Sequence, residues 1–274
     1  LKKSIFGSFD PEFVVLYNAR NIRRKSTSDL VAAWSQFTDS IGKEKAKKCA
    51  LLLHTQRVDE HGTDLPKVVD LLCDPSYQRV YFAEDRYTPQ QMNLLYILAD
   101  VTALISSNEG WGLSLTESMM CGKMIVANVT GGMQDQMRFV KDGQWFTPSE
   151  ELPSNHYGTL KEHGSWAIPV FPSNLSLVGS IPTPYIFDDR CDFRDVAKAI
   201  RDAYDMGQEE RAKRGMEGRK WVTSEESKMT AQAMADGVSS VLDKAIATFK
   251  PKEKFELIKI EKLPRKKLLH KLVY

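Results

Sequence analysis

No apolar run in the 274 residues approaches the ~20 that a membrane-crossing helix needs. No C-x-x-C pair occurs. The four cysteines, Cys49, Cys73, Cys121 and Cys191, lie far apart. That spacing suggests neither a zinc site nor a disulfide framework, and reads as buried thiols in a reducing compartment. His156 and His163 are spaced wrongly for a metal site. Net charge is only +2, so the whole chain carries no polyanion-binding signature. No signal-peptide pattern is present, and because residue 1 is Leu, further residues are expected to precede it. What the chain does have is 42% hydrophobic and 27% charged residues, the balance of a soluble globular protein.

The most informative stretch is SSNEGWGLSLTESMMCGKMIVANVTGGMQDQ, residues 106–136. The apolar run Val101 to Ile105 before it reads as a strand. A loop with Gly110 and Gly112 follows, where the backbone can bend sharply or approach a ligand. Leu113 to Cys121 has helical composition and stops at Gly122. Met124 to Val129 is a second strand, ending in Gly131 and Gly132. This is a β-α-β crossover, whose bare backbone lies at the carboxyl ends of strands where open α/β sheets bind ligands. The helix should offer unpaired N–H groups from about Gly112 to Leu115, suited to a phosphate. Glu109 and Glu117 bracket the loop. Two acids beside an anion site make sense as acceptors for hydroxyls flanking it, the layout of a nucleotide sugar. The alternative for an arbitrary pair of this kind is a capping Glu109 and a solvated Glu117.

Elsewhere the chain alternates short apolar runs with helical patterns, which predicts an α/β domain with a mainly parallel sheet. Residues 1–12 read as a linker and 13–249 as the domain. Phe13 to Tyr17 is the first buried strand, followed by the basic loop Asn21 to Lys25. Ser26 or Ser28 is placed to cap a helix carrying Leu30, Val31, Trp34 and Phe37 at helical spacing. Cys49 to His54 and Arg79 to Ala83 are further strands, with a short helix over Asp64 to Leu72 between them. Thr88-Pro89-Gln90-Gln91 is a capping-box helix start, with Leu94, Leu95, Ile97 and Leu98 as the expected buried stripe. Met133 to Val140 reads as a short helix. Trp166 to Phe171 is an expected edge strand. Phe193 to Met206 is amphipathic, and Glu209 to Trp221 and Ser227 to Phe249 are further helices.

The string E-G-W-G-L-S-L-T-E, followed by S-M-M-C-G-K-M-I-V-A, resembles the E-x7-E region of retaining glycosyltransferases of the two-domain GT-B fold, closest to family 4. The resemblance extends over most of residues 12–206. It departs at Ser118, Cys121 and Met124, where the family pattern has other residues. It implies a Rossmann-like, carboxyl-terminal half of a GT-B fold, the half that binds the nucleotide-sugar donor. Arg20 and Lys25 align with the family's basic pair on the donor diphosphate. The glycines beside that pair are Ala19 and Ser26 here. Taken alone, this loop would read as a solvated basic turn.

The resemblance further implies donor contacts at Gly110, Trp111, Gly112, Leu113, Ser114, Gly131 and Gly132, with Asp135 or Gln136 near the donor sugar. Glu109 would orient the sugar and Glu117 the ribose. The loop after the third strand would hold the nucleobase. No cofactor and no metal are expected, because cations and helix N–H groups would neutralise the leaving diphosphate. Partners are the nucleotide-sugar donor, an acceptor that is a glycan, lipid or protein, and an amino-terminal acceptor domain absent from this chain. Residues 143–190 depart from the family and read as an insertion. Residues 250–274, with nine Lys/Arg against three Asp/Glu, form a basic tail suited to a membrane surface, nucleic acid or another subunit; its bland reading is a solvated connector. The expected location is cytoplasmic, peripheral to a membrane if the tail binds one. A second reading of the whole is a non-catalytic nucleotide-sugar-binding or assembly module.

Overall fold

The computed structural model describes residues 1–146 and 155–251. It falls into two compact units, 1–230 and 231 onward.

In the first unit six parallel strands form one sheet. β1 (Phe13–Asn18), β2 (Cys49–His54), β3 (Val80–Ala83), β4 (Val101–Leu104), β5 (Met124–Asn128) and β8 (Ala167–Val170) lie in the order β3-β2-β1-β4-β5-β8. Register runs Phe13 opposite Cys49 and Val15 opposite Val101, and continues with Val101 opposite Met124. The order reverses direction between β1 and β4, so a crevice opens at their carboxyl ends.

Side-chain alternation divides the sheet into two cores. Phe13, Val15 and Tyr17 of β1, with Cys49, Leu51 and Leu53 of β2, face one layer. Val14 and Leu16, with Ala50 and Leu52, face the other. Burial on both faces explains why these strands read as continuous apolar runs. On the first face lie α2 (Thr27–Ile41) and α8 (Phe193–Asp205), which pack on each other. Trp34, Phe37 and Ile200 are fully buried there, and Tyr204 meets Phe13 edge-on at 5.4 Å. On the second face lie α1 (Lys2–Phe6) and α5 (Pro89–Leu98). The small α3 (Lys43–Ala46) and α4 (Leu65–Leu72) connect strands; Asp64 Oδ1 caps α4 by accepting from the Lys67 amide at 3.2 Å. α6 (Leu113–Met120) and α7 (Met133–Met137) follow β4 and β5. α9 (Gly207–Val222) is stapled to the sheet by buried Arg211. Its Nη2 donates to Asp100 Oδ1 at 3.0 Å, while Asp100 Oδ2 accepts from the Val14 amide at 2.9 Å. In the second unit α10 (Ala231–Thr248) carries Met234, Val238, Val241, Leu242 and Ile246 on one helical stripe.

Several expectations change. Residues 1–12 are not a bare linker: α1 buries Phe6, which meets Tyr81 edge-on at 4.9 Å. Ser26 stands before α2 but is left-handed, with φ 53°, and its hydroxyl makes no capping bond. A 3-10 turn over Arg23–Lys25 runs straight into the helix and imposes that geometry. The buried face of α5 is Leu95, Tyr96 and Ala99, while Leu94 and Ile97 are about half exposed. Tyr96 turns inward because its hydroxyl finds two polar partners there. The helix after Gly132 stops at Met137. Val140–Lys141 (β6) then pairs with Gln144–Trp145 (β7) across Asp142-Gly143, whose φ angles are 53° and 77°. That Asp-Gly turn is a hairpin signal. Segment 143–190 supplies β8, the expected edge strand, and a ribbon of β9 (Asn174–Ser180) and β10 (Thr183–Arg190). Residues 147–154 of that segment and 252–274 of the basic tail lie outside the described residues.

Arg211→Met should cost about 3 kcal/mol in urea unfolding, since it leaves Asp100 half-buried without its cation. A loss below about 1 kcal/mol would show that this pair does not staple α9.

Candidate functional site

The crevice at the carboxyl ends of β1 and β4 is a cleft of about 470 Å3. Asn18 and Ala19 come from the end of β1, Lys25 from the basic loop, and Glu109, Trp111, Gly112, Leu113, Ser114 and Glu117 from the loop and helix after β4. Most of the residues expected to act together therefore share one wall.

Glycine builds that wall. Gly112 has φ +85°, and a Cβ there would stand 3.1 Å from Leu104 and 3.2 Å from Met133. It turns the chain into α6. The Leu115 amide donates to the Gly112 carbonyl at 3.0 Å, so the first-turn donors left for a ligand narrow to Leu113 and Ser114. Gly131 and Gly132 do not line the cleft. They press on the loop behind it: a Cβ on Gly131 would lie 2.1 Å from the Glu109 carbonyl oxygen, and one on Gly132 2.2 Å from that of Gly110. Gly110 itself has open space around its Cβ position. Gln136 braces the same loop, donating Nε2 to the Trp111 carbonyl at 2.5 Å and accepting from Thr116 Oγ1 at 2.7 Å. Thr116 in turn accepts from Trp111 Nε1 at 2.8 Å. Gln136 is thus a support for the loop.

The charges pair with one another. Lys25 Nζ donates to Glu109 Oε1, and Arg24 Nη1 lies 3.0 Å from the same oxygen. Burial pushes the Glu109 carboxyl up, but Lys25, with smaller help from Ser106 and Arg24, more than offsets it and holds the group below its ordinary range. Arg20 does not join Lys25. Its Nε and Nη2 donate to the two Asp59 oxygens at 2.7 and 3.2 Å. It lines an adjoining cleft of about 450 Å3 with Asn18, His54, Glu84, Asp85 and Arg86. Glu117 Oε2 accepts from the Tyr96 hydroxyl at 2.5 Å. Sequence reasoning gave no site role to Arg24, Asn18, His54 or Tyr96. The run Arg23-Arg24-Lys25 was a visible signal for the first, and the Y-x-x-A-D pattern shared with the resembling family, Tyr96 to Asp100 here, was one for the last. Among the described residues no three His, Cys, Asp or Glu side chains converge as a metal site. No described helix is long and apolar enough to cross a membrane.

Residues 78–152 match the family described as Glycosyl transferases group 1. No curated protein matches the chain. Among solved structures, the chain is similar to the sucrose-phosphate synthase tll1590 of Thermosynechococcus elongatus, with TM-score 0.59 and 21% identity over 87% of this chain and 46% of that one. It is similar to Anabaena Alr3699/HepE, solved with UDP and glucose, with TM-score 0.56 and 16% identity over 85% and 48%. A glycosyltransferase from Rickettsia africae ESF-5 has TM-score 0.59 and 14% identity over 88% and 49%. At these identities the likeness is one of fold. The chain has the Rossmann-like architecture found in one half of GT-B glycosyltransferases, and spans less than half the length of these three proteins.

Asp135 on α7 is absent from the cleft lining. Burial pushes its carboxyl up to about 6, and Oδ1 has no hydrogen-bond partner among the described residues. The folded state then holds this proton more tightly than the unfolded chain, so the Asp135 contribution to stability falls as pH rises from about 4 to about 6. Asp135→Asn should remove that slope. Unfolding free energies across this range must show the variant gaining on the wild type as pH rises; parallel profiles would contradict the assignment.

Proposed function

We propose that the chain is the donor-binding half of a glycosyltransferase, moving a hexose-type sugar from a nucleotide diphosphate to an acceptor with retention of configuration, in the manner of family 4. One observation carries the reading: Lys25, the first turn of α6 and Glu117 converge on one cleft at the switch point of the sheet. The diphosphate would lie against Lys25 and the Leu113 and Ser114 amides, where a helix amino terminus favours an anion. Glu117 would accept from a ribose hydroxyl. Glu109, already anchored by two cations, would accept from the sugar without acting as a base. Arg20 would reach the phosphates only on leaving Asp59. These donors neutralise the departing diphosphate, so the reading calls for no metal ion. The UDP in the Anabaena structure supports a nucleotide-sugar donor as partner. The acceptor, whether glycan, lipid or protein, would be held by an amino-terminal domain outside this chain. A cytoplasmic site of action, with the basic tail touching a membrane or subunit, completes the proposal.

Calorimetry with uridine, guanosine and adenosine diphosphates tests it. At least one should bind, and Lys25→Ala should weaken it by about 2 kcal/mol through loss of a charge-assisted contact. Glu117→Ala should cost about 2–4 kcal/mol if the ribose hydroxyl is left unpaired. Glu109→Ala should not weaken the free nucleotide, because it releases two cations toward the phosphates, yet should depress transfer in an enzyme completed with its acceptor domain. Equal binding by wild type and Lys25→Ala would remove the phosphate site. Normal transfer by Glu109→Ala together with unchanged binding by Glu117→Ala would favour the non-catalytic module.

A further inference from the structure

Glu117 ends a line of hydrogen bonds that crosses from one cleft to the other. Its Oε2 accepts from the Tyr96 hydroxyl at 2.5 Å. That oxygen accepts from Asn18 Nδ2 at 2.7 Å. Asn18 Oδ1 lies 2.7 Å from His54 Nδ1, and His54 Nε2 lies 3.3 Å from the Asp85 backbone oxygen. The line thus draws on α6, α5, β1 and β2, and ends on the loop after β3.

Proton counting fixes its direction. A phenol has one proton, and an ionised carboxylate only accepts. Burial, then the Glu117 bond, pushes the Tyr96 phenol well above its ordinary range, so it keeps that proton and points it at Glu117 in the hydrogen bond. The phenolic oxygen must then accept the Asn18 amide hydrogen. Asn18 therefore turns its carbonyl to His54, and His54 Nδ1 must be the protonated nitrogen. Nε2 faces a second carbonyl. A neutral imidazole has no second proton to offer it; only the imidazolium donates at both ends. The charged and titratable surroundings of His54 are Arg20, Glu84, Asp85 and Arg86 in the shared cleft, and Tyr87, whose ring stacks on the imidazole at 5.3 Å. Arg20 is held by Asp59, and Glu84 by Arg57 at 2.8 Å.

We propose that Asn18, Tyr96 and His54 are positioning residues for the nucleotide, aiming the Glu117 carboxylate into its cleft. The proposal rests on the nucleotide reading of the cleft given above. The two ends of the line lie in adjoining clefts, so a nucleoside diphosphate spanning them would feel both.

The test is calorimetry on the 274-residue chain with the same three nucleoside diphosphates. Tyr96→Phe removes the hydroxyl and keeps the ring; it should weaken binding about tenfold. Because Tyr96 acts through Glu117, the same substitution made in a Glu117→Ala background should change affinity by less than about twofold, a cancellation that a merely structural role would not give. Asn18→Leu removes the donor to the phenolic oxygen; it should weaken binding about threefold to tenfold and show the same cancellation. Wild-type affinity in Tyr96→Phe, or an equal loss with and without Glu117, overturns the proposal. Should Tyr96→Phe fail to fold, the Asn18→Leu comparison decides alone. If wild type binds none of the three nucleotides, the nucleotide reading itself falls and takes this proposal with it.

Discussion

Two loops meet backbone against backbone at the carboxyl edge of the sheet, and the cleft depends on that contact. Gly131 and Gly132 leave no room for a side chain before the carbonyls of Glu109 and Gly110. The Gly132 amide also donates to the Glu109 carbonyl at 3.2 Å. This holds the turn after β4 in place, and that turn sets where α6 begins and which amides face the cleft. Hydrogen bonds from Gln136 and Thr116 then secure a geometry that steric exclusion has already chosen. The hierarchy follows from magnitudes. A net hydrogen bond contributes about 1 kcal/mol, whereas a Cβ placed near 2 Å from a backbone oxygen cannot be accommodated without moving the loop.

The polar groups are arranged around this frame as partners for one another. Glu109 is shared by Lys25 and Arg24, Arg20 is held by Asp59, and Glu117 is held by Tyr96. The Arg24 carbonyl in turn accepts from the Ser107 amide at 2.8 Å, tying the basic loop to the end of β4. A buried or half-buried charge without a partner would be costly, so each functional group here is kept in position by a neighbour that a ligand would have to replace or join.

The strands were legible because both faces of the sheet are buried, which writes them as unbroken apolar runs. The helix starts at Asp64 and Thr88 were legible because capping chemistry is local. Lys25 and the stretch from Glu109 to Glu117 were legible as a motif, but their mutual pairing was not. The Asp59 partner of Arg20 lies 39 residues away, and no local pattern announces it. Tyr96 stood in a Y-x-x-A-D pattern shared with the resembling family, but its role was not legible, since only the fold brings Asn18 and Glu117 to its hydroxyl. Ser26 shows the reverse case. Its φ of 53° suits glycine, the residue the resembling family has at that place, yet its cap-forming side chain suggested an N-cap that the left-handed backbone does not make.

The internal pairing of the cleft has a kinetic consequence. Arg24 and Lys25 bring two positive charges and meet Glu109 directly, while Glu117 adds a second negative charge to the same cleft, so the four formal charges sum to zero. Such a site projects almost no field beyond a Debye length, about 8 Å at physiological salt. An anionic ligand approaching from solvent would therefore not be steered from afar; it would be recognised on contact, by exchanging places with a carboxylate already there. Selection of such a ligand would act on its residence more than on the rate of its arrival.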